Sequence, residues 1–334
     1  MGSVFGFLFL IAVCVAQREV SIPLSADSFR QILRTAMPVP DGRSATASDI
    51  RIIYYGTNIT QPSTYRVGSI KRLLSNPNFD VRKPTTFYIH GYVELWNDFS
   101  VETVVRAYLK RGGYNILVLD WANFGFGNYI GAGLSVQTVG METGKALLKL
   151  LKGGLSLQGL HIVGHSMGVN VAAIIARYLK SKGVKVPRLT GLDPAYPGFY
   201  PALLAVPVSP EDAGFVDIMH TDGGGFGAPA STGHADFWPN HGTAKQPGCL
   251  PLTVPLTAED FCSHWRSWRF WAEAVEGGKF LARRCSDYDT FLRGRCRNAP
   301  LVIMGIETDT TLRGNFYLRT AAQEPFALGE RGAE

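Results

Sequence analysis

One five-residue motif has the residue types and spacing to hold a nucleophile. Gly164-His165-Ser166-Met167-Gly168 fits the G-x-S-x-G pattern. An apolar strand is predicted before it, at 160–163, and a helix is predicted after it, at 167–180. In that setting the serine hydroxyl projects from the top of a sheet, beside a helix N-terminus. The flanking elements favour acyl-transfer chemistry at Ser166 over a glycine-rich turn without a function.

A serine hydroxyl is a weak nucleophile, so the motif requires a base and an acid that orients the base. In folds of this kind the acid and then the histidine follow the serine along the chain. Asp193 follows a strand predicted at 189–192, which places its carboxylate at the same edge of the sheet as Ser166. His264 is the predicted base, because a disulfide at Cys262 would fix the loop between this cysteine and a helix predicted from about Trp265.

Other histidines receive no catalytic role. We expect His220 to be packed in the structure, and His234 and His241 to lie in loops. His161 lies inside a predicted strand and is expected to be buried and hydrogen-bonded. His165 is expected to face away from the nucleophile and to transfer no proton.

Acyl transfer also requires hydrogen-bond donors where the oxyanion develops. The backbone N–H of Met167 is available at the predicted helix start. Tyr92 follows His90 and Gly91 at the end of an apolar strand, so its backbone N–H is the second predicted donor.

The elements that must position these residues alternate between strand and helix. Strands are predicted at 85–89, 115–120, 160–163, 189–192 and 215–219, and helices at 136–152 and 167–180. This order indicates an α/β fold with a mainly parallel sheet that helices cover on both faces. Irregular segments are predicted at 196–210 and 221–261, and long segments of this kind are often functional.

Composition excludes several classes of protein. The 334 residues are 46% hydrophobic and 18% charged, which is enough apolar content for a large core. The net charge of +6 is dispersed, so no nucleic-acid partner is predicted. Gly125, Gly127 and Gly131 follow a strand, but their spacing does not fit a dinucleotide-binding fingerprint.

The N-terminus indicates export. Residues 4–15 are apolar and small residues precede Gln17, so residues 1–16 are predicted to be a signal peptide that is cleaved after Ala16. An uncleaved anchor is the alternative. The predicted location is extracellular, and the Asn58-Ile59-Thr60 triplet is then a candidate glycosylation site at Asn58.

Cysteine usage agrees with an oxidising compartment. Without Cys14 in the signal segment, four cysteines remain, and they allow three pairings. We expect the local pairs Cys249–Cys262 and Cys285–Cys296, which close two short loops. Their spacing does not resemble a zinc site.

In order and spacing, five motifs resemble those of the pancreatic lipase family. These are Phe87-Tyr88-Ile89-His90-Gly91, Val118-Leu119-Asp120-Trp121, Val163 to Gly168, Gly191-Leu192-Asp193-Pro194-Ala195 and Cys262-Ser263-His264. The resemblance runs from about residue 50 to 328. It implies an α/β-hydrolase fold, with Ser166 as nucleophile, Asp193 as acid and His264 as base. It also implies that Tyr92 and Met167 form the oxyanion hole.

Departures from the family pattern refine the expected function. Residues 17–334 are predicted to form a single catalytic domain without the family's C-terminal β-sandwich, so no colipase partner is expected. The family's lid lies between cysteines that match Cys249 and Cys262, and here it is only the short segment 250–261. The apolar residues of this segment are predicted to contact a lipid interface, and the alternative is an ordinary buried disulfide loop. These apolar residues are Leu250, Leu252, Val254, Leu256 and Phe261.

The segment 222–232, which matches another wall of the family's cleft, is also short. A short lid together with a short segment there resembles the phospholipase A1 members of the family, which remove the sn-1 acyl chain. The resemblance leaves open a neutral glyceride lipase or a galactolipase, and a lipid-binding yolk-type protein is the non-enzymatic alternative. No cofactor is expected. Leu204 and Ser209 stand where the family's calcium site has carboxylates, although Asp212 remains, so no metal requirement is predicted.

Overall fold

The computed structural model of the chain describes residues 45–125, 127–255 and 257–334. The predicted signal peptide, 1–16, and the cleavage site after Ala16 lie outside the described residues. Cys14 and Leu256 also lie outside them.

A single mixed sheet forms the centre of the molecule. Within the described residues it has eleven strands, in the order β10-β9-β11-β8-β7-β6-β5-β3-β4-β1-β2. The strands are β1 (Arg51–Tyr55), β2 (Ser63–Arg66), β3 (Thr85–Ile89), β4 (Asn115–Asp120), β5 (Leu160–His165), β6 (Arg188–Leu192), β7 (Phe215–Met219), β8 (Ala235–Pro239), β9 (Phe280–Arg284), β10 (Leu301–Met304) and β11 (Gly314–Leu318). The run from β11 to β4 is parallel, and the pairings at both edges are antiparallel.

Helices cover both faces of this sheet. The α-helices are α1 (Phe99–Arg111), α2 (Ala122–Gly125), α3 (Tyr129–Lys152), α4 (Met167–Ser181), α5 (Cys262–Val275) and α6 (Tyr288–Leu292). Short 3₁₀ segments lie at Ala47–Asp49, Val67–Ser75, Pro210–Asp212, Asn240–Gly242 and Gly329–Ala333.

Alternate residues of the central strands face two separate cores. Leu117 and Leu119 of β4 pack with α3 and α4. Ile116 and Val118 of the same strand pack with α1 and α5. Because both faces of these strands are buried, they read as continuous apolar runs, as expected of a parallel sheet. The arrangement is that of an α/β-hydrolase, and the predicted fold class is confirmed.

Several predicted boundaries need correction. The helix predicted from 136 begins at Tyr129, where the Asn128 side chain accepts a hydrogen bond from Gly131 N at 2.6 Å. The segment 221–261 was expected to be irregular, but it contains β8, which is buried along its length. The strands outside the predicted set (β1, β2, β8, β9, β10 and β11) are mostly those at the two sides of the sheet.

Within the described residues, no helix is both long and apolar enough to cross a bilayer.

Candidate active site

Ser166 lies on the sharp turn between β5 and α4. Its φ of +54° is in the left-handed region, which is rare for a residue with a side chain. The two motif glycines allow this turn, because a Cβ on Gly164 would lie 2.7 Å from the backbone of Gly168. A Cβ on Gly168 would collide with the carbonyl oxygens of Ile89 and His90. The glycines therefore bring the serine close to the end of β3.

Asp193 and His264 meet through a direct hydrogen bond. Nδ1 of His264 lies 2.6 Å from Oδ2 of Asp193, and because a carboxylate only accepts, the imidazole nitrogen donates. The other carboxylate oxygen accepts the backbone N–H groups of Thr221 at 2.8 Å and Asp222 at 3.1 Å. Asp193 is fully buried and His264 is 4% exposed. The acid is thus fixed by three donors and in turn fixes the ring.

The base and the nucleophile face one cavity. Ser166 and His264 both line a cavity of about 360 Å³ at the carboxyl ends of β3 and β5. Within the described part of the chain, the Ser166 hydroxyl makes no hydrogen bond to the imidazole. Catalytic hydrogen bonds of free enzymes are often long and tighten only with substrate. Ser166 and His264 thus line one cavity, and the buried Asp193 carboxylate lies behind the histidine, in the order that nucleophilic catalysis requires.

The position of His264 differs in one respect from the sequence expectation. Helix α5 begins at Cys262 rather than near Trp265, so His264 lies in the first turn of a helix and not in a loop. The disulfide Cys249–Cys262 joins the start of this helix to the segment before it. Cys285 pairs with Cys296, and both predicted pairings are therefore confirmed.

His165 was expected to face away from the site, and this expectation was wrong. Its ring centroid lies 4.8 Å from that of His264, and its Nδ1 lies 2.9 Å from Oε2 of Glu94. The sharp turn at Ser166 directs this neighbouring side chain toward the loop after β3. No sequence motif identifies Glu94, because its contact with His165 joins residues that follow two different strands of the sheet.

His220 is packed as predicted, and His161 is hydrogen-bonded as predicted but only partly buried by accessible surface. His220 is fully buried, lies 2.8 Å from Oδ1 of Asp236 through Nε2, and stacks on Trp238. His161 bonds to Oγ1 of Thr190 at 2.8 Å through Nε2. Burial lowers the pKa of His161 well below its ordinary value, and the nearby Arg188 charge acts in the same direction.

The two predicted oxyanion donors lie beside the nucleophile. Met167 is the first residue of α4, and Tyr92 follows the end of β3 and lines the same cavity. Among the described residues, neither backbone N–H donates to another protein atom, so both are available to a ligand. The Tyr92 hydroxyl donates to the Gly127 carbonyl at 2.6 Å, which fixes the side chain away from this role.

Aromatic side chains form one wall of the cavity. Phe226 and Phe261 stack at 4.5 Å, and Phe261 stacks on Trp265 at 5.7 Å. Of the three tryptophans of α5, Trp265 and Trp268 line the cavity and Trp271 is buried in the core. The wall is suited to an acyl chain.

One cation also lines this cavity. Arg269 lies over the Trp268 ring, with its guanidinium carbon 5.1 Å from the ring centroid. It forms no ion pair with any carboxylate of the described chain. Asp98 lines the same cavity, and its carboxylate accepts the Leu95 backbone N–H at 2.7 Å. Arg269 was not among the predicted site residues, since a single arginine in a helix carries no motif.

The segment between Cys249 and Cys262 exposes apolar side chains. The exposed fractions are 57% for Leu250, 65% for Leu252 and 68% for Val254, so this is not a buried disulfide loop. Phe261 is half-buried and lines the cavity. The segment therefore exposes apolar side chains, and Phe261 at its end also lines the cavity.

The residues considered for a calcium site have other contacts. Asp212 forms a two-pronged ion pair with Arg177, at 2.7 Å to Nε and 2.8 Å to Nη2. Leu204 packs against the core on the α3 side. The described residues contain no cluster of three or more His, Cys, Asp or Glu side chains that could hold a metal ion.

Sequence comparison agrees with this geometry. The sequence model of the family described as Lipase matches residues 26–326. The chain belongs to the lipase family. The chain is 32% identical to human pancreatic lipase-related protein 2 over 75% of its length, and 30% identical to pig pancreatic triacylglycerol lipase over 75%. It is 32% identical to rat phospholipase A1 member A over 76% of its length. The matched regions span 57%, 59% and 58% of these relatives.

Proposed function

We propose that this lipase-family chain is a secreted serine hydrolase that cleaves acyl esters of glycerolipids. The observation that carries the proposal is the 2.6 Å hydrogen bond between His264 and Asp193, at a cavity that Ser166 also lines. A serine on a strained turn, a histidine and a buried carboxylate form the arrangement that activates a hydroxyl for acyl transfer. The aromatic wall beside them suits the acyl chain of a lipid.

The reaction follows from the positions of these groups. His264 takes the proton of Ser166 as the hydroxyl oxygen attacks the ester carbonyl, and Asp193 stabilises the resulting imidazolium. The backbone N–H groups of Tyr92 and Met167 bind the oxyanion. The imidazolium then protonates the departing alcohol, and water, deprotonated by the same ring, hydrolyses the acyl-enzyme.

Within the glycerolipids, we assign phospholipase A1 activity. Two features support a phospholipid. By the family resemblance, a segment as short as that between Cys249 and Cys262 is expected to leave an open cleft that admits a polar headgroup. Its exposed leucines suit a lipid surface. Arg269 offers at the same cavity a guanidinium that forms no ion pair with a carboxylate of the described residues, and guanidinium groups bind phosphate with two parallel hydrogen bonds.

Ser166, His264 and Arg269 line the same cavity. In a glycerophospholipid six bonds separate the sn-1 carbonyl carbon from phosphorus, and six bonds span about 7 Å when extended. We therefore propose that one lipid molecule places its ester carbonyl at Ser166 and its phosphate at Arg269.

A neutral glyceride lipase is the second candidate. Its support is the similarity to pig pancreatic triacylglycerol lipase, and the aromatic wall would serve either substrate. A galactolipase would use the same acyl site with a sugar headgroup. A yolk-type lipid-binding protein is the non-enzymatic alternative, but it would have no use for a serine held at a strained turn beside a histidine–carboxylate pair.

Secretion is proposed on separate grounds. Two disulfides in one chain are typical of an oxidising compartment. Asn58 is exposed, so its side-chain amide is accessible to glycosylation, and its Oδ1 accepts the Thr60 N–H at 2.9 Å. Mass spectrometry of the exported chain tests signal-peptide cleavage and glycosylation, because it gives the N-terminus after cleavage and any glycan on Asn58.

Product analysis tests the activity. The purified chain is given phosphatidylcholine vesicles with a different acyl chain at each position, and in parallel a triglyceride emulsion. We expect free fatty acid from the sn-1 position and none from the Ser166→Ala variant. Faster cleavage of triglyceride than of phosphatidylcholine would favour the second candidate. No hydrolysis of any ester would favour a binding protein.

A further inference from the structure

The two proposed oxyanion donors lie on different loops. Tyr92 follows β3, whereas Met167 follows β5 and Ser166. Stabilisation of an oxyanion requires that both N–H groups point to one position, and a misplacement of about 1 Å can cost roughly 10²-fold in rate. Some contact must therefore hold the Tyr92 loop at a fixed position relative to the nucleophile turn.

The Glu94 carboxylate makes contacts with both loops. Its Oε2 accepts the backbone N–H of Gly91, the residue before Tyr92, at 2.5 Å. The same oxygen accepts Nδ1–H of His165, the residue before Ser166, at 2.9 Å. The other oxygen, Oε1, accepts the Ser100 hydroxyl at 2.5 Å, which ties the group to the first turn of α1.

This carboxylate is held as an anion in a protected place. The Glu94 side chain is 11% exposed and that of His165 is 2% exposed. Burial alone would raise the pKa of Glu94, but the neighbouring His165, through its charge and its hydrogen bond, outweighs burial and lowers the pKa to about 2. His90 and the Ser100 hydroxyl act in the same direction. Charge-assisted hydrogen bonds of this kind are about twice as strong as neutral ones.

Backbone geometry shows that the loop is shaped around the carboxylate. A Cβ on Gly91 would lie 2.8 Å from Oε2 of Glu94 and 3.0 Å from Cβ of Ser166, so only glycine allows both approaches. Val93 has a φ of +54°, which is strained for a β-branched residue. Strain of this kind persists only where surrounding contacts determine it.

Other described hydrogen bonds of this loop connect it to a different segment. The Tyr92 hydroxyl bonds to the Gly127 carbonyl, and the Val93 N–H bonds to the Gly125 carbonyl at 3.2 Å. Both partners belong to the segment around α2. They fix the loop to that segment, whereas Glu94 connects it to the residue adjacent to Ser166.

We propose that Glu94 is a positioning residue that braces the oxyanion hole, by joining the Gly91–Tyr92 turn to the nucleophile turn through His165. The hole is then already formed in the free protein, with no loop movement needed to complete it. This inference rests on the proposed function, since it assigns Glu94 a role in the same ester hydrolysis. Glu94 itself does not touch the substrate.

Kinetics on a soluble short-chain p-nitrophenyl ester test the positioning role of Glu94 without involving a lipid surface. We expect Glu94→Ala to lower kcat about 10²-fold per titrated active site and to change KM by less than about twofold. Glu94→Gln keeps one acceptor oxygen and should lose less. An oxyanion-mimicking trifluoromethyl ketone should lose affinity by the same factor as kcat, whereas the affinity for substrate is retained.

The chain offers a matched control in Glu273. This glutamate also accepts two backbone N–H groups, from Phe326 at 2.7 Å and Ala327 at 2.8 Å, and does not line the cavity. If Glu94 had only a structural role, Glu94→Gln and Glu273→Gln would both lower Tm and leave kcat per active site unchanged. That result would overturn the proposal that Glu94 positions the oxyanion hole.

Two variants at His165 test the connection to the nucleophile turn. Asparagine retains an N–H donor close to the position of Nδ1, whereas alanine removes it, so His165→Asn should keep more of kcat than His165→Ala. Equal kcat in the two variants would contradict the connection. A wild-type protein that hydrolyses no ester would refute the proposed function itself, whereas an active wild type with unchanged Glu94 variants would refute only the brace.

Discussion

Nδ1 of His264 lies 2.6 Å from Oδ2 of Asp193, although 71 positions separate the two residues in the sequence. The carboxylate is fully buried and accepts two further hydrogen bonds from backbone N–H groups at the end of β7. A buried anion with three donors cannot rotate freely, so it fixes the tautomer and the direction of the imidazole ring.

Replacement of this acid by its amide should abolish most activity. In Asp193→Asn the backbone donors remain satisfied by the amide oxygen, but the amide nitrogen faces His264 and favours the wrong tautomer. We expect kcat on a soluble ester to fall about 10⁴-fold, with an almost unchanged fold. Steady-state kinetics and circular dichroism measure the two effects. A loss smaller than tenfold would mean that Asp193 does not orient the base.

The exposed segment between Cys249 and Cys262 should matter only at lipid surfaces. In the double variant Leu252→Ser and Val254→Ser, hydrolysis of phospholipid vesicles should fall about tenfold or more, because about 25 cal/mol of transfer free energy is lost per Å² of apolar contact. Hydrolysis of a soluble short-chain ester should not change. Leu292→Ser removes an apolar side chain that is 50% exposed on α6 and serves as the control. Equal losses on both substrates would refute an interfacial role.

Removal of the Arg269 guanidinium should change the choice of substrate. Arg269→Gln is expected to lower kcat/KM for phosphatidylcholine about tenfold and to leave that for diacylglycerol within about twofold, since charged hydrogen bonds contribute about 1.5–3 kcal/mol. Arg293→Gln changes an exposed arginine that does not line the cavity, and it controls for net charge. Competition between the two lipids in mixed vesicles measures the ratio, and an unchanged ratio would contradict the phosphate assignment.

Chelation of calcium should have no effect. Asp212 is already paired with Arg177, and Leu204 and Ser209 stand at the other positions of the family's site. We expect EDTA to change neither the rate of ester hydrolysis nor Tm. A large loss of either, restored by added calcium, would show that this prediction is wrong.

Acid should remove the stabilisation that Glu94 provides. The folded pKa of about 2 lies below the ordinary value of 4.5, so the carboxylate contributes stability that is complete above pH 4.5. That contribution is lost as the pH falls from 4.5 toward 2. The free energy of unfolding of wild type and Glu94→Gln should therefore converge over this interval in denaturant titrations. A difference in the free energy of unfolding between the two proteins that stays constant with pH would contradict the lowered pKa of Glu94.

Local patterns were sufficient for the central sheet. The bounds of β3, β4 and β7 agree with the predicted strands, because strands that are buried on both faces are apolar along their length. The missed strands β2, β9 and β10 have polar or partly exposed residues, whereas β1 and β8 are almost entirely buried but only five residues long. Ser63–Arg66 alternates between half-buried and exposed residues and is too short for its period to stand out.

The orientation of side chains at the site could not be read from the sequence. His165 is adjacent to Ser166, yet only the three-dimensional turn shows that its ring approaches His264 and Glu94. Arg269 likewise belongs to no sequence motif, and only the structure shows that it lines the same cavity as Ser166.

The sequence by itself determined the nucleophile motif, the order of acid and base candidates and the fold class, because these depend on local periodicity and on spacing along the chain. Only the tertiary structure decided which groups meet at the cavity. Hydrogen bonds such as those of Glu94 join residues from distant strands, and their formation depends on how the sheet brings the ends of β3 and β5 together.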